Sequence, residues 1–287
     1  MNGLKGEMMK ASDSVMKYGN SILQHGRFNN RIYIMTLAEN DLPGIIGFAD
    51  DLAKRENYTK IFGKVPASSA DMFASAGYVV EASIPSFFQG KEEAVFMAKY
   101  FDPERRKTAN ATELTEIRAA ALEHTGRKER GSLPNGFTLR PARTEDTEKL
   151  ADLFRKVFPT YPFPISDPEY IRTTMQDNVR YFLIKEGDKI AAASSCEVDK
   201  ESLTAEMTDF AVDPHYRGRS FAGILLEEME KTMRREGIIT AYTIARSASL
   251  PMNAVFAGAG YRFGGMLPNN TNISGSRESM NTWYKKL

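Results

Sequence analysis

Only one cysteine, Cys196, occurs in 287 residues, so the chain can form neither an internal disulfide nor a cysteine-rich zinc site. Its neighbourhood, AAASSCEV, reads as a strand, which suits a buried bystander thiol better than a nucleophile. The three histidines, His25, His124 and His215, lie far apart and without ligand spacing, so no metal site is expected. No apolar run is long enough for a signal peptide or a membrane span. The net charge is only +1, which gives no bulk attraction to nucleic acid or to an anionic membrane. With 42% hydrophobic and 26% charged residues the composition is globular, and the length allows two domains. A cytoplasmic enzyme is the expectation.

What the chain does have is a distinctive stretch at residues 204–236. Glu206 to Val212 reads as a strand, Asp213-Pro214 as a turn, and Arg217-Gly218-Arg219-Ser220-Phe221-Ala222-Gly223 as a short loop. A helix is expected from about Gly223 to Glu236, with Ile224, Leu225, Met229 and Met233 at helical spacing and Gly237 as its stop. A strand that feeds such a loop at a helix start is a phosphate cradle. The loop and first-turn N–H groups lack intrachain partners, and the helix dipole adds partial positive charge.

These residues resemble the acetyl-CoA-binding core of the GNAT acetyltransferases. That family has an apolar-Val-x-Pro strand end and then (Q/R)-x-x-G-x-(G/A). Here Ala211-Val212-Asp213-Pro214 is followed by Arg217, Phe221 and Ala222, and Ser220 stands where the family usually has glycine. Serine keeps the backbone donor but restricts the backbone angles. The resemblance implies acetyl-CoA as co-substrate, held by Phe210, Ala211 and Val212 along the strand, by Arg217 to Gly223 in the loop, and by Asn253 and Phe256 on the late helix.

The N-terminal region, about 1–130, reads as strands at 21–24 and 31–37, a helix opened by Asp41-Leu42-Pro43, a strand at 60–65, a helix ending at Gly77, and strands at about 78–84 and 93–101. The second half of a GNAT domain has this order. Phe73-Ala74-Ser75-Ala76-Gly77-Tyr78 matches Phe256-Ala257-Gly258-Ala259-Gly260-Tyr261 at an offset of 183 residues, and the same offset places Pro85 on Pro268 and Met97 on Met280. The region is expected to be a degenerate half-copy of the second domain. Glu39-Asn40-Asp41 stands where the second domain has Arg217-Gly218-Arg219, and carboxylates at a helix start repel a pyrophosphate. A structural role, or a role in a homodimer, is therefore expected of this half.

A helix at about 112–123 and the charged run TGRKERGSLPNG read as a solvated linker. From 137 to 287 the expected elements follow the full GNAT order, an α/β (α+β) domain. YPFPI, AEMTDFAVDPHYRG, AYTIARS and NNTNISGS…ESMN together resemble the β-lysine N-acetyltransferase family over the whole chain. That resemblance implies acetyl transfer from acetyl-CoA to the terminal amine of β-lysine, giving the compatible solute Nε-acetyl-β-lysine. A GNAT for another diamine or amino acid is the alternative, or a non-catalytic acyl-CoA-binding sensor.

An alkyl ammonium with a pKa of about 10.4 must lose a proton before it attacks a thioester. Glu206 and Asp209, on the central strand, are the candidate bases. A regular strand puts them on opposite faces, and a bulge changes that. The GNAT resemblance implies that N–H groups near Phe210 to Val212 hold the acetyl oxygen. It also places a tyrosine acid where this chain has Phe256. Tyr242, Ser247, Asn253 and Tyr261 are alternative helpers, although a thiol of pKa about 8.5 can leave as thiolate. For the acceptor, Arg246 suits the carboxylate and Glu278 an ammonium. Asn270 and Asn272 offer neutral bonds, and Tyr161 and Phe163 can wall the alkyl chain.

Overall fold

The computed structural model describes residues 13–126 and 131–287. The first twelve residues and the KER-containing centre of the linker fall outside them. The N-terminal half runs β1 (Ser14–Tyr18), β2 (Ser21–Gly26), β3 (Arg31–Thr36), α1 (Gly44–Glu56), β4 (Lys60–Pro66), α2 (Ala70–Ser75), β5 (Val79–Phe88) and β6 (Glu92–Tyr100). Helix α3 (Ala111–Leu122) leads to the C-terminal half: β7 (Phe137–Pro141), α4 (Thr147–Val157), α5 (Pro168–Gln176), β8 (Val179–Glu186), β9 (Lys189–Asp199), β10 (Thr204–Val212), α6 (Phe221–Arg235), β11 (Thr240–Arg246), α7 (Leu250–Gly258), β12 (Arg262–Ile273) and β13 (Ser276–Lys286).

Among the described residues the strands form one 13-stranded sheet in the order β1-β2-β3-β4-β6-β5-β12-β13-β11-β10-β9-β8-β7. Pairs β3–β4 and β10–β11 are parallel and the others antiparallel. The order reads the same outward from the centre: β5 mirrors β12, β6 mirrors β13, β4 mirrors β11 and β3 mirrors β10. The N-terminal copy extends further than a half, because the β1–β2 hairpin stands where β8–β9 stand in the second copy. Among the described residues it has no counterpart of β7, α4 and α5.

The two copies meet through β5 and β12, where Gly265 pairs with Ala82. These two residues are 183 apart, the offset of the sequence repeat, so a local two-fold axis passes through their pair. Both strands then bulge at equivalent residues, Ser86 (φ 54) after Pro85 and Asn269 (φ 43) after Pro268. The helix-end glycines correspond as well, Gly77 at φ 88 and Gly260 at φ 83. The match of Met97 to Met280 does not hold. Met97 pairs with Val80, whereas the counterpart of Val80, Phe263, pairs with Trp283. The second hairpin is longer, and its insertion moves β13 out of the simple offset.

Apolar periodicity explains the packing. On α6, Phe221, Ile224, Leu225, Met229 and Met233 recur on one face and close a core over the second copy. On α1, Ile45, Ile46, Ala49, Leu52 and Ala53 do the same over the first. A third core joins the halves: Tyr33, Phe62, Ile84, Phe87 and Phe96 pack with Tyr242, Leu267, Ile273 and Met280. Helix α3 is not a free linker, since it packs on α7 and Arg118 lies over the Phe263 ring at 4.9 Å.

A side chain at Gly265 would have no room. A Cβ there would lie 2.4 Å from the Glu81 carbonyl oxygen and 2.5 Å from Ala82 Cα, on a backbone of φ 144. Gly265→Ala should cost roughly 2–5 kcal/mol in denaturant unfolding, from strain plus overpacking. Gly187→Ala is the control, since that glycine also has positive φ but nothing within 4 Å of its Cβ. Equal losses for the two would contradict the close junction.

Candidate active site

The site begins where two strands part. β10 and β11 are paired at Thr204–Thr240, Ala205–Ala241 and Glu206–Tyr242, and no further. On its other edge β10 stays with β9 as far as Val212–Ala192. A bulge between Thr208 and Ala211, with Asp209 at φ 54, coincides with the parting. Beyond Glu206 the backbone of β10 therefore has an edge without a strand partner, and its N–H groups there are available to a ligand carbonyl.

Downstream, the Asp213 carboxylate accepts from the His215 N–H at 3.0 Å and from Lys156 Nζ at 2.7 Å, which holds the turn. Gly218 (φ 80) and Ser220 (φ 60) both adopt left-handed backbone. Helix α6 starts at Phe221, two residues earlier than expected, so its first-turn amides belong to the Phe221–Gly223 segment. Arg217 to Ser220 are exposed. An open basic loop leading into a long helix fits a pyrophosphate. Ser220 keeps the loop shape that glycine would adopt more readily. In the first copy the corresponding turn presents Asp41, whose carboxylate accepts from Asn20 N, Ser21 N and Ser21 Oγ at 2.9, 2.7 and 2.6 Å.

A cavity of about 1380 Å³ lies between the copies. The C-terminal half contributes Glu197, Glu206, Thr208, Tyr161, Phe163, Tyr242 and Asn270, and the N-terminal half contributes Arg31, Tyr33, Phe62, Lys64 and Phe87. Glu206 sits at the fork of the strands. Its carboxylate is hydrogen-bonded with Tyr242, whose oxygen accepts from Lys64 Nζ at 2.8 Å. Burial raises the Glu206 pKa, with Lys64 and the Tyr242 bond opposing it. Glu197 is pushed up to about 8, by burial first and then by the charges of Glu206 and Asp209. Burial opposes the charge of Lys64, but Tyr33 and the carboxylates Glu206, Glu197 and Asp199 outweigh it.

The bulge turns Asp209 away from this row. It is 8% exposed and accepts from Tyr161 Oη and Ser195 Oγ, each at 2.5 Å. Burial raises its pKa against those bonds. Tyr161 thus meets the cavity with its hydroxyl oriented by Asp209. Cys196 is buried with its thiol toward Met207.

Several expected residues lie elsewhere. Arg246 Nε and Nη2 donate to Glu278 Oε2 and Oε1 at 2.8 and 2.6 Å, so the two side chains placed on the acceptor by sequence satisfy each other. Asn272 is used at the junction, donating from its backbone to Asn29 Oδ1 and from its side chain to the Phe28 carbonyl. Asn253 is fully buried. Its Nδ2 donates to the carbonyls of Arg246 and Ser249, and its Oδ1 accepts from Asn281 and Trp283. Phe256 is 1% exposed and packs edge-on to Phe210 and Tyr261. Neither has a free face for a cofactor. Glu197, Arg31, Tyr33 and Lys64 were not singled out by sequence. Glu197 and Glu206 face one another across β9 and β10, and that pairing appears only once the register is known. Among the described residues no cluster of His, Cys, Asp or Glu could hold a metal, and no helix is long and apolar enough to cross a membrane.

The profile of the acetyltransferase (GNAT) family matches residues 147–261. The chain is 40% identical over 273 residues to a beta-lysine N(6)-acetyltransferase of Methanococcus maripaludis, covering 95% of this chain and 98% of that protein. It is 37% identical to the N-acetyltransferase YodP of Bacillus subtilis, covering 93% and 96%. To a beta-lysine N(6)-acetyltransferase of Methanosarcina mazei the identity is 31%, covering 85% and 97%.

The Glu197 shift has a consequence for stability. Its pKa rises from 4.5 to about 8 on folding. The fold therefore favours the neutral form, and the stability gained from it is present below about 4.5 and lost as pH rises through about 8. Glu197→Gln, which cannot ionise, should gain on the unaltered chain over that window in thermal melts at stepped pH. Parallel stability curves for the two proteins would contradict the assignment.

Proposed function

The chain belongs to the GNAT acetyltransferases, in the family of the β-lysine N(6)-acetyltransferases, and from that premise we propose that it moves acetyl from acetyl-CoA to the ε-amine of β-lysine. The observation that carries the reading is the position of the Glu197–Glu206 carboxylate pair, in a cavity that opens where β10 and β11 part. Carboxylates attract ammonium groups, and the free edge of β10 lies beside them to hold the acetyl oxygen. The near full-length likeness to two proteins of that name supports the acceptor. Acetyl-CoA is the co-substrate of the family, and the loop from Arg217 to Gly223 fits its pyrophosphate. A cytoplasmic location is part of this proposal, supported by the need for acetyl-CoA as co-substrate.

In this reading Glu206 takes the proton of the ε-ammonium. An ordinary glutamate is too weak a base for an amine of pKa about 10.4, and burial narrows the gap. The freed amine attacks the thioester carbonyl. N–H groups of β10 near Phe210 to Val212 stabilise the oxygen as charge develops, the nitrogen gives its second proton to water, and the carbon–sulfur bond breaks. The sulfur leaves as thiolate, since Phe256 offers no proton and a thiol of pKa about 8.5 leaves without one. Asp209 acts as a positioning residue through Tyr161.

Glu206→Gln should lower the rate at neutral pH about 10²–10⁴-fold, with the loss shrinking at high pH as free amine accumulates. Acetyl-CoA affinity should barely change. The paired measurement is Asp209→Asn. If that variant alone shows the pH-rescued defect, the two roles are exchanged. Binding of acetyl-CoA with no turnover of any amine would favour a sensor.

A further inference from the structure

A buried charged group in the cavity wall lacks a counterpart. Arg31, from β3 of the N-terminal half, is 3% exposed. Its Nη1 donates to the Asn270 carbonyl oxygen and to Thr271 Oγ1, both neutral. Its Nε has no partner. Its guanidinium lies 4.7 Å from the Phe62 ring centre and 5.6 Å from that of Tyr33. Among the described residues Arg31 forms no ion pair. Asp13 favours its charge from a distance, but the Asp13 oxygens accept from the backbone of Phe28 and Asn29 and the side chain of Asn29. A buried guanidinium without an anion is costly, and the deficit disappears if a ligand brings one.

Next to it, Asn270 is 1% exposed, lines the same cavity, and has a side-chain oxygen without a partner. A buried donor and a buried acceptor thus stand side by side, one from each copy of the repeat. Of the other N-terminal cations in the wall, Lys64 already donates to Tyr242 and Lys91 is exposed.

We propose that Arg31 anchors the acceptor's carboxylate and that Asn270 receives its neighbouring C3 ammonium, so the β-amino acid head group is read across the junction of the two copies. This rests on the β-lysine reading above. The ε-amine then extends along the cavity toward Glu206. The chemistry is complementary at each end: the guanidinium lacks an anion, the Asn270 oxygen lacks a donor, and Glu206 lies at the fork to receive the far amine. The N-terminal copy thereby confers selectivity for an amino acid over a plain diamine.

The test compares β-lysine with pentane-1,4-diamine, which is β-lysine without its carboxylate, by thiol release with acetyl-CoA. The unaltered chain should prefer β-lysine. Arg31→Met should lower kcat/KM for β-lysine about 10- to 100-fold, the loss expected for a charge-assisted contact, and leave the diamine unchanged. Arg31→Lys, which keeps the charge and disturbs the fold least, should retain part of the preference. Equal losses on both acceptors would overturn the anchor in favour of a structural role for Arg31. Undiminished preference in both variants would overturn it as well. An unaltered chain that turns over the diamine but not β-lysine would overturn the acceptor reading itself, and this inference with it.

Discussion

The antiparallel contact of β5 with β12 at Ala82 and Gly265 is the constraint on which the rest of the molecule depends. It makes one sheet of two copies and sets them about a local two-fold axis. The third core, from Tyr33 and Phe62 to Leu267 and Met280, fills the concavity that results. Without that approach, the side chains of β3 and β4 would not face those of β10 and β11. The cavity exists because the halves are held this close, and a glycine at 265 is what the spacing permits.

The mirrored strand order places similar backbone on both sides of the cavity, and the side chains differ. In the third pair of each parallel ladder, Glu206 stands opposite Tyr242 in the second copy, and Tyr33 opposite Phe62 in the first. One position carries an ionisable group beside the strand fork, while its counterpart carries stacked rings with centroids 4.3 Å apart. The turn after the strand differs likewise, basic and open at Arg217–Arg219, but closed on the β1–β2 turn by Asp41. Burying carboxylates is unfavourable unless cations lie near. Here Lys64 comes from the other copy, so the acid–base properties of the fork depend on the partner half.

Much of this was legible in the sequence because it rests on local chemistry. Helix ends at Gly77 and Gly260 reveal the repeat, since each residue adopts a left-handed backbone that glycine favours. The strand, turn and helix around Arg217 follow from their own spacing, with α6 starting two residues earlier than expected. β1 was not legible, because five mostly exposed residues carry little apolar signal. Alternation along β3 and β4 puts Arg31 beside Tyr33, and Phe62 beside Lys64, on one face. It does not say that this face meets the other copy. Arg246 and Glu278 each suit a charged acceptor alone, but strand order makes them neighbours, and neighbours of opposite charge pair.

The most direct test of a cavity shared by both copies is a crystal structure of the dead-end complex with coenzyme A and β-lysine. The account predicts the cofactor's pyrophosphate on the Arg217–Gly223 loop, the ε-amine beside Glu206, and the carboxylate of β-lysine on Arg31. An acceptor bound wholly by the C-terminal half, with the side chains of β3 and β4 out of contact, would contradict it.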